Sequence, residues 1–505
     1  MLNNIKIATK DSFIYSLGNI ANKVIGLILL PVYLRELTVA EYGMLGILEI
    51  SLQIAVAVFG FSIYQSFNRW FWDKKYKNKQ GAIFFTSLLF VIFSAALMLI
   101  IFSFISGKAS SILLNSKQYS YLLMLMLGSA ALQIIKRIPL SMMRLQRRAI
   151  LFSLSNVIQL TITLLLTIYF IVYQGKKLNG IFEAQIIGFA CLLLFNIRYI
   201  FNNLHFSFEL TILKEMLGYS YPLMLSALGG LLLSVADRYF IKFMEGLENM
   251  GIYSLGFKIA NVLKLVFMHS VFSAINPLRY RLMNDPDHPR FYSKIMTYSV
   301  FVFIILQMGL MFFSKELLFL LANNKENWTY MQVNGAVQII PILCFSQLFE
   351  VLRNNVRFGL NIAKKTKIIS GVMLSSAALN IIFNFIFIQL VGTIGAAIAT
   401  LSAQIIFFSL IYHYAQKYYF IPYELKKVFM MIGLVIGLSI IAYSINSMVL
   451  VPRLLIKTFL ILGFPFSLYF LGFYEKVELQ RLKGAWKEWK NPKNWINNIK
   501  EIKIK

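Results

Sequence analysis

The chain has 505 residues, of which 58% are hydrophobic, 15% aromatic and only 14% charged. Soluble proteins contain roughly 45–50% apolar residues, so a soluble core cannot absorb this much apolar surface. The formal net charge of +28 does not indicate nucleic-acid binding, because the basic residues lie in short segments between apolar runs, where they orient membrane helices. Composition and charge predict an all-α polytopic membrane protein with no nucleic-acid partner.

Apolar runs of about 20 residues, the length that spans a bilayer core about 30 Å thick, recur along the chain. The first run follows Lys6 and Lys10, but it is longer than a signal-peptide core and lacks a cleavage site, so we expect a transmembrane helix. Cys191 and Cys344 fall within predicted spans, and no disulfide is expected. Hydropathy predicts about fourteen spans, near residues 12–34, 42–67, 82–105, 119–141, 150–173, 180–201, 217–243, 250–276, 293–314, 331–352, 367–391, 394–415, 428–447 and 454–474.

The loops between the predicted spans alternate in charge. Loops after even-numbered spans are rich in Lys and Arg, as in RLQRRA (144–149), whereas the alternate loops, such as MEGLEN (244–249), hold fewer basic residues. Positively charged loops stay on the cytoplasmic side of a membrane. Both termini are therefore predicted to be cytoplasmic.

An internal repeat relates two groups of six spans. Placing Gly43 on Gly251 also puts Asn68 on Asn276 at the ends of the second and eighth spans. Repeats of this kind are typical of transporters, whose substrate sites lie where the repeats meet. The predicted domains are an N-terminal six-helix lobe (1–205), a C-terminal six-helix lobe (206–420), two additional transmembrane helices (421–475) and a basic cytoplasmic tail (476–505).

The tail carries apolar side chains on one helical face. Leu479, Leu482, Trp486 and Trp489 are three or four residues apart, and lysines lie beside or opposite them. This pattern predicts an amphipathic helix on the anionic inner leaflet. A solvated charged tail is the alternative.

Amides and small residues interrupt the eleventh and twelfth predicted spans. Asn380 and Asn384 are four residues apart and share one helical face, and an amide in hydrocarbon needs a hydrogen-bond partner. Gly392, Gly395 and Ala396 follow, and small residues let helix backbones approach closely. We expect these five residues to serve helix packing; direct substrate contact by the asparagines is the alternative.

Charged side chains within the predicted spans indicate a functional or structural role, because a charge near the bilayer centre costs about 2.5–3.5 kcal/mol on insertion scales. Lys23 and Lys264 sit deepest, beyond an easy snorkelling reach. Cations outnumber acids, so a cavity lined by these residues would attract an anion such as a diphosphate. The predicted substrate-binding residues are Lys23, Lys264, Arg238, Arg137, Lys136, Lys258, Arg353, Asn22 and Asn19, and the candidates for ion coupling are Asp237, Glu49 and Glu350.

Some of these charges have structural alternatives. Lys136, Arg137 and Arg353 lie near the cytoplasmic ends of their spans, where long side chains can snorkel to the interface. Asp237 and Arg238 are sequence neighbours that point in different directions, and a structural ion pair is the alternative to function there.

The sequence lacks patterns for nucleotide hydrolysis and for catalysis. No G-x-x-x-x-G-K-[ST] pattern occurs, so a phosphate-binding loop for ATP is not expected. The four histidines are dispersed, and no metal or nucleophile arrangement is evident. We expect a protein that is not an enzyme and has no cofactor; coupling to H⁺ or Na⁺ is compatible with this expectation but not required by it.

Several short motifs occur in a fixed order along the chain. They are Tyr42-Gly43, Asp237-Arg238, the Gly-x-Tyr-Ser that begins at Gly251, and Asn-x-x-x-Asn followed by Gly-x-x-Gly-Ala-Ala. In this order the chain resembles the polysaccharide transporter branch, which includes the O-antigen flippases, of the multidrug/oligosaccharidyl-lipid/polysaccharide (MOP) exporter superfamily. Fourteen spans rather than twelve resemble the lipid II flippase and related exporters, where the extra pair flanks a groove suited to a lipid tail.

The resemblance implies a flippase of the bacterial inner membrane. It would move undecaprenyl-diphosphate-linked oligosaccharide, an O-antigen, capsule or exopolysaccharide repeat unit, to the outer leaflet by alternating access through a cationic central cavity. Implied partners are membrane lipids, a polysaccharide polymerase and chain-length proteins. Two alternatives stay open. A cation-coupled drug antiporter would need acidic residues at the cavity centre, where Lys23 stands, and a polymerase would normally have a large external loop.

Overall fold

The protein is built from helices throughout the part that the structure describes. A computed structural model describes residues 26, 28–281, 287–322 and 327–480, and no strand occurs within these ranges. Ten of the described helices are long and apolar enough to cross a membrane, or eleven if one bent pair counts as a single span. The prediction of an all-α polytopic membrane protein is confirmed.

Most of the helices are long, and a few short ones join them. Short 3₁₀ or π segments lie at 74–76, 117–119, 169–173 and 445–447. In chain order the helices are α1 (Leu30–Glu36), α2 (Val39–Phe59), α3 (Ile63–Trp70), α4 (Gln80–Leu114), α5 (Ser120–Leu145), α6 (Ala149–Ile168), α7 (Lys177–Phe195), α8 (Ile197–Asn203), α9 (Leu210–Arg281), α10 (His288–Phe312), α11 (Ser314–Leu321), α12 (Tyr330–Ile362), α13 (Thr366–Tyr418), α14 (Leu425–Ser444) and α15 (Leu450–Phe470).

Two of the helices each contain two predicted spans. The helical path of α9 breaks at Gly246 (φ +88°), and that of α13 breaks at Gly392 (φ +61°). Residues with a Cβ rarely adopt a positive φ, so glycine lets the chain change direction at both points. The hydroxyl of Tyr253 donates to Asp237 Oδ2 over 2.5 Å, although residues this far apart in a straight helix would be separated by about 24 Å. The chain of α9 therefore turns back, and its two arms pack against each other.

The second arm of α9 crosses α2 at a pair of glycines. A Cβ added at Gly43 would collide with the carbonyl oxygen of Leu247, and a Cβ added at Gly251 would collide with that of Val39. Small residues permit this close approach of two backbones. Gly43 and Gly251 are also the residues that the internal repeat superposes, so the two copies of one motif pack against each other.

Further contacts hold the beginning of α2. Thr38 and Glu41 form a capping box, in which each side chain accepts a hydrogen bond from the other residue's backbone N–H. This satisfies two N–H groups that would otherwise lack partners at a helix start. Trp328 donates from Nε1 to the carbonyl oxygen of Leu37 over 3.2 Å, and its ring meets that of Tyr42 edge-on. The end of α2 that is predicted to face outside is thus fastened to the start of α12.

The residues divide into two compact units. Of the described residues, those within 1–285 and 314–420 form the first unit, which contains both the α2 and α9 crossing and the helices α11 to α13. Those within 286–313 and 421–505 form the second unit, which contains α10, α14 and α15. The division into two six-helix lobes stays a prediction. Within the second unit, Lys294 forms ion pairs with Glu424 (2.9 Å), Glu475 (2.5 Å) and Glu478 (3.3 Å).

Large apolar side chains cover the outer faces of several long helices. Phe93 and Phe104 on α4 are 65% and 84% exposed, and Phe459 on α15 is 74% exposed. Such exposure would be unfavourable in water, but lipid tails solvate these side chains in a bilayer. We infer that these faces contact lipid.

Candidate functional site

A cavity of about 210 Å³ lies between α2 and α9 in the first unit. Its polar lining consists of Tyr42 and Glu49 from α2, Arg238 from the first arm of α9, and Ser254, Lys258 and Asn261 from the second arm. The last three are spaced by three or four residues and therefore share one helical face. Since α2 and the second arm of α9 are copies of one repeated motif, this cavity lies where the copies meet. It is called the central cavity below.

Lys258 is held in the central cavity by one carboxylate and two tyrosines. Its Nζ lies 3.9 Å from Glu49 Oε1 and 5.2 Å and 5.8 Å from the ring centres of Tyr33 and Tyr42. A Cβ added at Gly26 would lie 3.5 Å from Lys258 Cε, an ordinary van der Waals distance, so the lysine chain passes beside this residue. An ammonium group has three donors, and the long ion pair with Glu49 and a side-chain hydrogen bond with Tyr42 do not use them all. Lys258 can therefore bind an anion in the cavity.

Arg238 contributes the second cation of the central cavity. Its guanidinium lies 3.7 Å from the ring centre of Phe257, a cation–π distance. The neighbouring Asp237 is buried and accepts hydrogen bonds from Tyr253 and from the backbone N–H of Arg238. Its carboxylate therefore ties the two arms of α9 together and does not line the cavity.

A second cluster follows Lys258 along the same arm. Lys264 Nζ lies 3.1 Å from Glu350 Oε2, and a guanidinium nitrogen of Arg353 lies 3.5 Å from Glu350 Oε1. Arg353 also donates to Gln404 and lies 4.1 Å from the ring centre of Phe407. Two cations share one carboxylate, so the cluster is positive overall.

Lys136 and Arg137 lie elsewhere in the first unit. They line a second cavity of about 310 Å³, together with Arg144 and residues of α3 and α6. None of the residues lining this cavity also lines the central cavity. The sequence assigned both residues to one cationic cavity with Lys258 and Arg238; in the described structure the four cations line two cavities.

Three predicted site residues, Lys23, Asn19 and Asn22, lie outside the described residues. So does most of the predicted amphipathic tail; of its apolar face, Leu479 belongs to a short helical turn at 476–480, and the other members lie beyond it. Their roles stay predictions, as do the binding and coupling roles of the described residues.

The residues expected to serve helix packing surround the break in α13. Asn384 Nδ2 donates to Asn380 Oδ1 over 3.0 Å, and both side chains are buried. The two amides thus partner each other within one arm. A Cβ at Gly395 would collide with the carbonyl oxygen of Phe387, so this glycine lets the chain pass close to the arm that precedes the break. Ala396 beside it is fully buried.

Sequence reasoning missed the aromatic and amide partners of the charges. Tyr33 and Tyr42 flank Lys258, Phe257 faces Arg238, and Gln404 binds Arg353. The aromatic partners could not be singled out, because phenylalanine and tyrosine occur throughout the apolar runs. Asn261 could have been found, since it follows Lys258 by one helical turn.

Comparison with known proteins places the chain in a family. A family model described as "Polysaccharide biosynthesis protein" matches residues 8–283, more than half of the chain. The chain belongs to the polysaccharide biosynthesis protein family. This confirms the resemblance drawn from the sequence motifs. A second model, described as "MatE", matches residues 222–386 of this polysaccharide biosynthesis family member. Among curated proteins, no sequence matches the chain.

Several solved structures have the same fold as this chain. The lipid II flippase MurJ in an inward closed conformation is 16% identical, with a TM-score of 0.71, and the match covers 91% of this chain and 98% of that one. An inward-facing multidrug resistance MATE family transporter of the MOP superfamily is 12% identical, with a TM-score of 0.65 and coverage of 78% and 94%. A MOP superfamily transporter from Pyrococcus furiosus is 13% identical, with a TM-score of 0.57 and coverage of 82% and 95%. At these identities the likeness concerns the fold, which is that of the MOP superfamily.

Proposed function

We propose that the protein is a flippase for undecaprenyl-diphosphate-linked oligosaccharide. It moves an O-antigen, capsule or exopolysaccharide repeat unit from the cytoplasmic to the outer leaflet of the bacterial inner membrane. The observation that carries this proposal is the central cavity, where Lys258 and Arg238 face a space between the two repeated motifs. Membership of the polysaccharide biosynthesis family and the fold shared with a lipid II flippase support it.

The chemistry of the cavity suits a diphosphate headgroup. Ammonium and guanidinium groups bind phosphate oxygens through charge-assisted hydrogen bonds, and Asn261 and Ser254 offer neutral hydrogen-bonding groups for sugar hydroxyls. The polyprenyl tail stays in lipid while the headgroup crosses inside the protein. Lys264 and Arg353, which share Glu350, extend the positive field beyond the cavity.

No nucleotide is needed to drive this movement. A membrane potential is worth about 2.3 kcal/mol per charge per 100 mV, so a diphosphate with about two negative charges gains roughly 5 kcal/mol on leaving a negative-inside cell. Coupling to H⁺ or Na⁺ through Glu49, Asp237 or Glu350 is compatible with this scheme and not required by it. The protein acts as a transporter rather than an enzyme, with both termini in the cytoplasm and a polymerase and chain-length proteins as later partners.

The second candidate function is a cation-coupled drug antiporter. The match of residues 222–386 to the MatE model supports it, as does the presence of Glu49 in the central cavity. An antiporter for cationic drugs would extrude a cationic dye from cells and would lose that activity in Glu49→Gln. A flippase would leave dye accumulation unchanged.

The deciding experiment detects lipid-linked oligosaccharide on each face of the inner membrane. Spheroplasts with and without the protein are exposed to an impermeant sugar-binding probe. We expect an outer signal only when the protein is present, a decrease of at least tenfold in Lys258→Gln, and substantial retention in Lys258→Arg, which keeps the charge. Lys108→Gln removes an exposed cation on α4 and serves as the matched control. An outer signal that is independent of the protein would contradict the flippase and favour the antiporter.

A further inference from the structure

The cavity around Lys136 and Arg137 has a chemistry of its own. It lies between α3, α5 and α6 and is called the α5 cleft here. Its three cations, Lys136, Arg137 and Arg144, all come from α5. The remaining lining residues are Tyr64, Leu140, Phe152 and Asn156.

Two of these cations have no negative partner within the part of the chain that the structure describes. Lys136 is only 9% exposed; it donates to Gln159 Oε1 over 3.2 Å and lies 3.9 Å from the ring centre of Phe189. Arg137 lies 5.7 Å from the ring centre of Tyr64. Among the described residues, no carboxylate forms an ion pair with either side chain, and none lines the cleft. Neutral amides and rings satisfy some donors but do not neutralise charge.

Adjacent like charges in a poorly solvated cleft are unfavourable unless an anion joins them. Low-dielectric walls strengthen the repulsion between Lys136 and Arg137, and the same walls strengthen the attraction of both for an anion. A negative group bound between them would remove the repulsion and receive charge-assisted hydrogen bonds. The electrostatics of the cleft therefore favour an occupied state.

The cations also form a row that leads inward from the helix end. Arg137 and Arg144 are seven residues apart, which is about two turns or about 10 Å on one face of α5. Arg144 is exposed near the end of the helix that the charge pattern predicts to be cytoplasmic, whereas Lys136 is buried. Tyr64 accepts a hydrogen bond from Gln65, so its own proton is available to an anion. An anion entering from the predicted cytoplasmic side meets Arg144 first and Arg137 and Lys136 deeper.

We propose that the α5 cleft is a binding site for a phosphate group carried by a membrane lipid. The shared chemistry is a phosphate ester, which arrives either as the headgroup of an anionic phospholipid or as the diphosphate of a lipid-linked sugar. The second source rests on the proposed function; the first does not. Arg137 and Lys136 hold the phosphate oxygens, and Arg144 guides the anion in.

The test measures the binding of inorganic pyrophosphate to the full-length protein in nanodiscs of phosphatidylcholine, by isothermal titration calorimetry. We expect Arg137→Gln and Lys136→Gln to weaken the binding at this site at least tenfold. Arg137→Lys keeps the charge and should retain most of the affinity, which shows that the loss in Arg137→Gln comes from the missing charge, provided that both variants unfold at the same temperature. Arg198→Gln removes an exposed cation from α8 and should leave binding unchanged, and Lys258→Gln separates any contribution of the central cavity.

A second arm identifies the source of the phosphate. Repeating the titration in nanodiscs that contain phosphatidylglycerol should weaken pyrophosphate binding in the wild type if phospholipid headgroups occupy the cleft, and should leave it unchanged if the cleft prefers a diphosphate. Either outcome supports a phosphate site. Pyrophosphate binding that is absent in the wild type, or that survives in Arg137→Gln and Lys136→Gln and disappears only in Lys258→Gln, would overturn the proposal. Because the readout is binding, it stands apart from the leaflet assay that tests the flippase.

Discussion

The buried carboxylate of Asp237 depends on two hydrogen-bond donors. One is the backbone N–H of Arg238, and the other is the hydroxyl of Tyr253, which is itself fully buried. A buried charge that loses a donor keeps its desolvation cost without compensation. The hydroxyl of Tyr253 thus stabilises the Asp237 carboxylate and also holds the two arms of α9 together.

Tyr253→Phe should lower the free energy of unfolding by about 1–3 kcal/mol, because it leaves Asp237 Oδ2 without its donor. The measurement is thermal unfolding of the purified protein in detergent. Tyr221→Phe removes the hydroxyl of an exposed tyrosine on the first arm of α9 and should change stability by less than about 0.5 kcal/mol. Equal stability of the two variants would show that water replaces the lost donor.

At the residue scale the sequence predicted where only some of the charged side chains lie, and it did not predict their partners. Lys258 and Arg238 were expected to line a cavity, and the structure places both there. Lys136 and Arg137 were expected in the same cavity and lie in another. Spacing along one helix tells which side chains share a face, but not which neighbouring helix that face meets.

At the scale of the helices, the crossing of α2 and α9 leaves no room for a side chain at either of its two glycines. The two backbones touch because neither Gly43 nor Gly251 carries a side chain. A helix cannot rotate away from such a contact without moving every side chain that it buries. A methyl group added at either glycine is therefore expected to displace the whole helix that carries it.

Gly43→Ala should destabilise the protein by about 1–3 kcal/mol, the usual cost of overpacking. Gly218→Ala is the matched control, because a Cβ there meets nothing within 4 Å and alanine is favoured over glycine in a helix by roughly 0.5–1 kcal/mol. Chemical or thermal unfolding should give opposite signs for the two variants. A stabilising effect of Gly43→Ala would mean that the crossing adjusts freely.

The positions of the breaks in α9 and α13 were also predicted from the sequence. Each falls between two predicted spans and at a glycine with a positive φ, Gly246 and Gly392. Hydropathy placed these boundaries because loops between spans are more polar than the spans. Hydropathy could not show how tight the turns are. Only one or two residues at each break leave the helical conformation.

For the whole molecule, the proposed transport by alternating access predicts that α2 and the second arm of α9 separate. A Cβ built at Gly46 lies 3.3 Å from the Cβ of Ser254 and 3.0 Å from Met250 Cε; the first distance is slightly below the roughly 3.5–4.5 Å found in disulfides, so a small shift of the helices accommodates the bond. A protein with Gly46→Cys and Ser254→Cys can therefore be locked by oxidation. The two native cysteines, Cys191 and Cys344, must first be replaced.

Oxidation of this double variant should abolish the outer-leaflet signal, and a reductant should restore it, since the lock prevents the two copies of the motif from parting. Transport is measured with the probe assay in spheroplasts. Crosslinking is measured separately, by cleaving the chain between the two positions and following the electrophoretic mobility of the fragments. Gly46→Cys alone should be insensitive to the oxidant. Undiminished transport in fully crosslinked protein would rule out an opening at this crossing.

The glycine crossing also bears on how such a chain could have arisen. Gly43 lies against the carbonyl oxygen of Leu247, four residues before Gly251, and Gly251 lies against that of Val39, four residues before Gly43. This reciprocity is the mark of an isologous interface, in which one surface meets its own duplicate. A half-length ancestor carrying a single copy of the motif could thus have paired with itself in the membrane through this glycine. Gene fusion would then have joined two subunits that already fitted together.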